Sequence, residues 1–271
     1  MPEDDRPENF RQIDESKEHI VRFSPLRRSE HALVIVTFVL LLLTGFPQRF
    51  YESGWASTLL GWMGGLDTAR TIHRVAGFVF VAHSILHVLG FIIGVAMGRM
   101  RLTLMPTPQD LRDAWQNLRY YLGYRSDPPR FPKFDYRQKF EYIGIILGGM
   151  VMIVSGLVLY FPAFFATWLP GQIIPAARVA HSNEAMLAFL VLLIWHAYGS
   201  HMSPEVFPMD TSIFTGKMTV EELRERHRLE YARLYPDRAR AYENLEAPPA
   251  TVDDPPQAEL AREPEEIGSP S

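Results

Sequence analysis

Histidines inside apolar segments are the residues of this chain best suited to do chemistry. The segment from Arg178 to His201, RVAHSNEAMLAFLVLLIWHAYGSH, carries His181 and His196 on either side of an apolar run. If the segment is a helix, fifteen steps of about 100° leave the two side chains within roughly 60° of each other and about 22 Å apart along the axis. We therefore expect both imidazoles on one face, at opposite depths of a hydrocarbon core about 30 Å thick.

This spacing predicts a cofactor site at each depth. Ionisable side chains are costly in lipid, so such histidines usually face the interior of a bundle and serve a proton path, an ion or a cofactor. Two on one face favour two stacked cofactors, and haem is the cofactor that takes neutral imidazole as an axial ligand. The alternative is that the histidines only hydrogen-bond to a neighbouring helix. The chain has no cysteine, so any haem would be held non-covalently.

A second segment, from Thr71 to Met97, repeats this plan with His73, His83 and His87. Fourteen steps bring His87 to within about 40° of His73, about 21 Å along the axis. His83 lies about 80° away on the same wheel. We expect His83, and His201 at the water boundary, to be structural rather than ligands.

These histidines require long apolar helices to position them. Two further apolar segments, at residues 32–46 and 140–161, complete a predicted all-α, integral membrane four-helix bundle. Residues 47–70 and 109–122 are expected to form short helices in the membrane interface. A net charge of −4 and the absence of a nucleic-acid motif give no indication of nucleic-acid binding.

Charge distribution predicts the orientation of the bundle. Nine basic residues lie in the connection between residues 99 and 139, against Arg49 and Arg70 in the first loop and Arg178 in the third. The positive-inside rule therefore places the long connection and both termini in the cytoplasm. Around a membrane domain at residues 22–202, we expect disordered tails at 1–21 and 241–271, and a cytoplasmic cap and helix at 203–240.

In this orientation the histidines sort into two groups. His73 and His181 fall near the outer face, where together they would coordinate one iron. Near the inner face His196 could pair with His31, at the start of the first helix, or with His87, at the end of the second.

Several sequence motifs carry a family resemblance between Arg22 and His201. They are RRSEH, ARTIHRVAG, FDYRQK, RVAHSNEA and LLIWHAY. In these motifs the chain resembles the gamma subunit of formate dehydrogenase and its relatives, four-helix di-haem cytochromes b that anchor respiratory formate dehydrogenases, hydrogenases and thiosulfate reductases. The resemblance implies two haem b groups, the outer on His73 and His181 and the inner on His31 and His196. His87 departs from the pattern, as a second histidine on the second helix.

The resemblance also implies partners in a bacterial inner membrane. Electrons would come from a periplasmic iron–sulfur, molybdopterin, hydrogenase or multihaem cytochrome c subunit, and menaquinone or ubiquinone would be reduced beside the inner haem. The quinone-side segment corresponds to Lys133–Lys139, where Asp135 could relay protons and Arg137 or Gln138 could bond a quinone oxygen. Asp135 could equally be a helix N-cap, with Gln138 completing a capping box.

Another class of function fits the same histidines. The chain could be a haem-free assembly or binding subunit, or a small transporter that uses the histidines as a proton relay. No inverted repeat is visible in the sequence, which makes the transporter less attractive.

Overall fold

The computed structural model describes residues 15–246. Helices account for most of this range, and a small two-stranded sheet accounts for six residues. In chain order the strands are β1 (His19–Val21) and β2 (Lys217–Thr219), and the helices are α1 (Pro25–Arg49), α2 (Gly54–Trp62), α3 (Leu66–Ala96), α4 (Pro108–Tyr121), α5 (Tyr136–Tyr160), α6 (Pro162–Ala166), α7 (Ile173–Leu190), α8 (Ser212–Thr215), α9 (Val220–Arg226), α10 (Arg228–Leu234) and α11 (Pro236–Glu246).

Four helices, α1, α3, α5 and α7, are long and apolar enough to cross a membrane. Their most apolar windows have mean hydropathies of 1.4 to 2.3, and α7 reaches Met202 through a π-helical continuation. This confirms the predicted all-α membrane bundle. α1 packs chiefly against α3, and α5 against α7, so the bundle consists of two helical hairpins.

The ends of the bundle differ in their connections. The end that carries α2, α6 and the residues 161–172 is called here the short-loop end. The opposite end carries the connection of residues 97–135, the residues just before α1 and the residues from 203 to 230, and is called the long-loop end. The charge pattern predicts that the long-loop end is cytoplasmic.

The fourth span is not a uniform α-helix. From Val191 to His196 and from Tyr198 to Met202 it adopts π-helical hydrogen bonding. Bonds from residue i to i+5 widen the turn, so a constant step of 100° does not describe the approach to His196. The angle of about 60° expected between His181 and His196 therefore holds only for a uniform α-helix.

The interfacial helix α4 has reversed polarity. Asp110, Asp113 and Asn117 are buried against the protein, and Lys139 on α5 donates to Asp110 at 2.7 Å. Leu111 and Trp115 are 77% and 63% exposed. An apolar outward face is what a helix lying in the membrane interface requires.

At the long-loop end, β1, β2, α8 and α9 form a small unit that is called here the cap. β1 pairs antiparallel with β2, with Ile20 opposite Met218. The backbone turns into β2 at Gly216, where φ is 81° and an added Cβ would lie 2.9 Å from the carbonyl oxygen of Phe23. The prediction that residues 1–21 form a disordered tail is therefore wrong for His19–Val21. Residues 1–14 and 247–271, and with them most of the predicted tails, lie outside the described range.

Candidate functional site

Two histidine pairs occupy the interior of the bundle, one toward each end. At the short-loop end the ring centres of His73 and His181 lie 6.3 Å apart. At the long-loop end those of His31 and His196 lie 6.2 Å apart. Each pair joins one residue of the α1–α3 hairpin to one residue of the α5–α7 hairpin.

A hydroxyl group on α1 orients His73. Thr44 Oγ1 lies 2.9 Å from His73 Nδ1 and donates its own proton to the carbonyl oxygen of Leu40 at 2.6 Å. Because a hydroxyl has one proton to donate, Thr44 must accept the proton of His73 Nδ1. The lone pair of neutral His73 is then on Nε2.

The same arrangement occurs on the other hairpin. Ser155 Oγ lies 3.0 Å from His181 Nδ1 and donates to the carbonyl oxygen of Val151 at 2.5 Å. His181 is therefore also held with its lone pair on Nε2. Metal-ligating histidines commonly donate their second ring N–H in this way, which fixes the tautomer and the ring plane.

A glycine follows each of these hydroxyl residues and lies against the same imidazole. A Cβ added at Gly45 would lie 3.0 Å from His73 Cε1, and one added at Gly156 would lie 3.3 Å from His181 Cε1. Both distances are tighter than most real Cβ contacts. Thr44-Gly45 and Ser155-Gly156 therefore form matching cradles, a repeat visible in the sequence but not recognised there as a histidine support.

The pair at the long-loop end is supported by a carboxylate. His196 Nδ1 lies 2.7 Å from Glu141 Oε1, and the Glu141 side chain is only 12% exposed. Glu141 belongs to the first turns of α5, on the helix that packs against α7. Its role was missed in the sequence, where it reads as a charged flank of an apolar span.

His87 does not approach His196. Its Nδ1 lies 3.4 Å from Arg27 Nη1, and its Nε2 lies 3.3 Å from Tyr142 Oη. Of the two candidates for the partner of His196, the structure brings His31 to it. His83 places its ring centre 6.1 Å from that of His87.

The spacing within each pair fits two imidazoles on opposite sides of one metal ion. A metal–imidazole nitrogen bond is about 2.0 Å long and the ring centre lies about 1 Å beyond the nitrogen, so the two ring centres would be about 6 Å apart. Within residues 15–246 no group of three or more histidine, cysteine or acidic side chains converges on a metal position. A pair of imidazoles is instead a donor set that suits the axial positions of haem.

Comparison with known families agrees with this donor set. Residues 22–207 match the family model of prokaryotic cytochrome b561. The chain belongs to this family. No curated protein sequence matches it significantly. The family and the four apolar helices establish a multi-pass membrane cytochrome b of the respiratory type, which binds haem b and transfers electrons.

In this cytochrome the predicted quinone-side residues are bound to one another. Asp135 is the N-cap of α5, where its side chain accepts from the backbone N–H of Gln138 at 2.9 Å and the Gln138 side chain accepts from the N–H of Asp135 at 3.2 Å. Arg137 contacts Asp135 at 2.7 Å and Glu205 at 3.3 Å. The capping-box alternative is therefore present in the structure.

A buried polar group anchors the cap of the cytochrome. His227 is 4% exposed, and its Nδ1 donates to the carbonyl oxygen of Pro132 at 2.8 Å. Burial, and next the nearby charge of Arg22, lower the pKa of His227 to about 4. Arg22 is itself buried, which lowers its pKa to about 10, and it donates to the carbonyl oxygen of Lys133 at 3.0 Å.

Proposed function

We propose that this cytochrome holds two haem b groups and moves electrons across the membrane between a partner oxidoreductase and the quinone pool. The observation that carries the proposal is the presence of two imidazole pairs with nearly equal spacing, 6.3 and 6.2 Å, at opposite ends of the same bundle. His73 and His181 would hold one haem, and His31 and His196 the other.

The chain's own residues prepare each pair for this role. Thr44 and Ser155 accept the Nδ1 protons of His73 and His181, which leaves both Nε2 atoms unprotonated and available to a metal. Glu141 places a carboxylate oxygen 2.7 Å from Nδ1 of His196. A bound haem would supply an iron that gains and loses one electron at each position.

The charge distribution supports a direction for the assembly. Nine basic residues lie between positions 99 and 139, in the long connection and the first turn of α5. We therefore infer that the long-loop end faces the cytoplasm of a bacterial inner membrane. The short-loop end would then receive a periplasmic iron–sulfur, molybdopterin, hydrogenase or multihaem cytochrome c partner, as in the formate dehydrogenase gamma subunits that the chain resembles. Menaquinone or ubiquinone would exchange electrons near the His31–His196 pair.

A redox difference spectrum with pyridine haemochrome quantification tests the haem assignment. We expect about two haem b groups per chain in the detergent-purified protein, loss of one in His31→Ala, and retention of both in His87→Ala. One haem in the wild-type protein would contradict the two-haem proposal. If the protein is folded but contains no haem although the cells were supplied with ample haem, a haem-free assembly subunit or a histidine-relay transporter would be supported instead.

The orientation can be tested separately because the chain contains no cysteine. Ser57 on α2 and Ser126 in the long connection are both exposed. We expect a membrane-impermeant maleimide added to spheroplasts to label Ser57→Cys and not Ser126→Cys. The opposite labelling would place the long-loop end outside and reverse the proposed positions of the two partners.

A further inference from the structure

His87, the candidate ligand that joins neither pair, belongs to a separate polar cluster. His87 lies 3.4 Å from Arg27 Nη1, 3.6 Å from Glu30 Oε2 and 3.3 Å from Tyr142 Oη. Arg27 also pairs with Glu30 at 2.8 Å and directs its other nitrogen toward the sulfur of Met100 at 3.6 Å. These five residues, Arg27, Glu30, His87, Met100 and Tyr142, are called here the His87 cluster.

The His87 cluster lies beside the His31–His196 pair. Glu30 immediately precedes His31 on α1, and Tyr142 immediately follows Glu141, the carboxylate that holds His196. The cluster draws its members from α1, α3, α5 and the start of the long connection. It therefore places an acceptor, Glu30, next in sequence to His31 and a donor, Tyr142, next in sequence to the carboxylate that contacts His196.

The contacts of His87 can be exchanged for contacts with a ligand. Its separations from Arg27 and Tyr142, 3.4 and 3.3 Å, exceed the usual 2.7–3.2 Å of an N–H···O bond. The side chains of His87 and Arg27 keep 25% and 33% of their surface exposed. Next to them on α3, Leu86 is 69% exposed and presents an apolar surface.

We propose that the His87 cluster binds the headgroup of a quinone. A quinone carbonyl is an acceptor, and His87, Tyr142 and Arg27 supply donors of three kinds around one position. An isoprenoid tail would lie along the exposed apolar surface of α3 at Leu86. The inference deepens the proposed function and rests on it, since a quinone has a role here only if the neighbouring pair carries an electron.

The structure favours this cluster over the segment that begins α5. There the polar atoms of Asp135 and Gln138 complete the capping box, and Arg137 is engaged by two carboxylates. A ligand at that position would have to break the N-terminal cap of a membrane helix. At the His87 cluster it would replace only the long contacts of His87 with Arg27 and Tyr142, and could leave the Arg27–Glu30 pair at 2.8 Å in place.

Binding of a fluorescent hydroxyquinoline N-oxide, a quinone analogue, tests the site in the purified holoprotein. Tyr142→Phe removes one hydroxyl from the cluster, and Tyr160→Phe makes the same change at the far end of α5. His87→Gln is matched by His201→Gln on α7. We expect Tyr142→Phe and His87→Gln each to weaken binding by about tenfold or more, and both controls to bind as the wild type does.

Haem content, measured on every sample, separates the possible outcomes. Wild-type affinity in both Tyr142→Phe and His87→Gln would overturn the inference, as would weakened binding in Arg137→Ala alone. No binding by a wild-type protein that contains two haems would overturn the quinone assignment while leaving the haem proposal intact. Absence of haem from the wild type would instead refute the proposed function itself.

Discussion

The two histidine pairs have almost the same spacing but are held by different chemistry. At the short-loop end, Thr44 and Ser155 offer neutral hydroxyl oxygens to the imidazoles. At the long-loop end, Glu141 offers a carboxylate to His196. A carboxylate draws the Nδ1 proton more strongly and makes the imidazole a more basic ligand. If each pair holds a haem as proposed, the two sites would have the same ligand type and different reduction potentials.

The difference extends to packing. Gly45 and Gly156 bring helix backbones against the imidazoles of the short-loop pair. No glycine within residues 15–246 makes a corresponding contact with His31 or His196. The short-loop pair is therefore fixed by shape and neutral hydrogen bonds, and the long-loop pair by charge.

The largest effect is expected from removal of one ligand at each end. His181→Ala and His196→Ala should each lose one of two haems and keep the other, because the two pairs share no residue. Pyridine haemochrome quantification together with low-temperature spectra would identify the site that remains. Loss of both haems in either variant, with the helical circular dichroism spectrum unchanged, would show that the sites are not independent.

A methyl group at Gly45 tests whether shape fixes the short-loop pair. Gly45→Ala puts a Cβ about 3 Å from His73 Cε1, and overpacking of this kind typically costs about 1–3 kcal/mol. We expect roughly tenfold weaker haem retention at the short-loop end alone, measured by transfer of haem to an apo-globin acceptor. Gly144→Ala on α5, where an added Cβ meets nothing within 4 Å, is the matched control and should retain haem normally.

A smaller change is expected when the carboxylate at His196 is made neutral. Glu141→Gln keeps an acceptor in place but removes the charge. The reduction potential of the long-loop haem should therefore rise, and the affinity of the protein for haem at that end should fall by about tenfold. Spectroelectrochemical titration should show one shifted and one unchanged midpoint. Ser155→Ala should affect only the midpoint of the short-loop haem. Glu141→Asp should bring the midpoint of the long-loop haem most of the way back to the wild-type value. Equal midpoints in Glu141→Gln and the wild type would refute a tuning role.

The smallest effect on the haem sites is expected when the pH is lowered, because the pH acts on the cap at the long-loop end. The pKa of His227 is about 4 in the folded protein, against 6.5 for an unperturbed histidine, so the unfolded cap binds the extra proton more readily. The stability contributed by neutral His227 is therefore complete above about pH 6.5 and is lost as the pH falls toward 4. Limited proteolysis of the cap should accelerate over this interval. In His227→Gln that acceleration should be much reduced, with haem content unchanged.

The sequence predicted the four spans because apolar length is a local property of each segment. It could not decide between His31 and His87, because a helical wheel gives angles within one helix and not the direction of its neighbours. In the structure Arg27 and Tyr142 engage His87, whereas His31 faces His196.

Other features depended on contacts that leave little local pattern. Glu141 was missed because its partner lies on another helix, more than fifty residues away in sequence. The strands β1 and β2 have only three residues each, too few for an alternating pattern to emerge. The capping box at Asp135 could be predicted because its two residues are three positions apart.

The division of the bundle into two hairpins has a consequence for assembly. Each pair takes one histidine from α1–α3 and one from α5–α7, while each hairpin packs chiefly within itself. A ligand bound at either pair therefore joins the two hairpins, and its binding free energy is added to their association. Iron and porphyrin supply would then govern not only the activity of this cytochrome but how much of the chain persists as a closed bundle in the membrane.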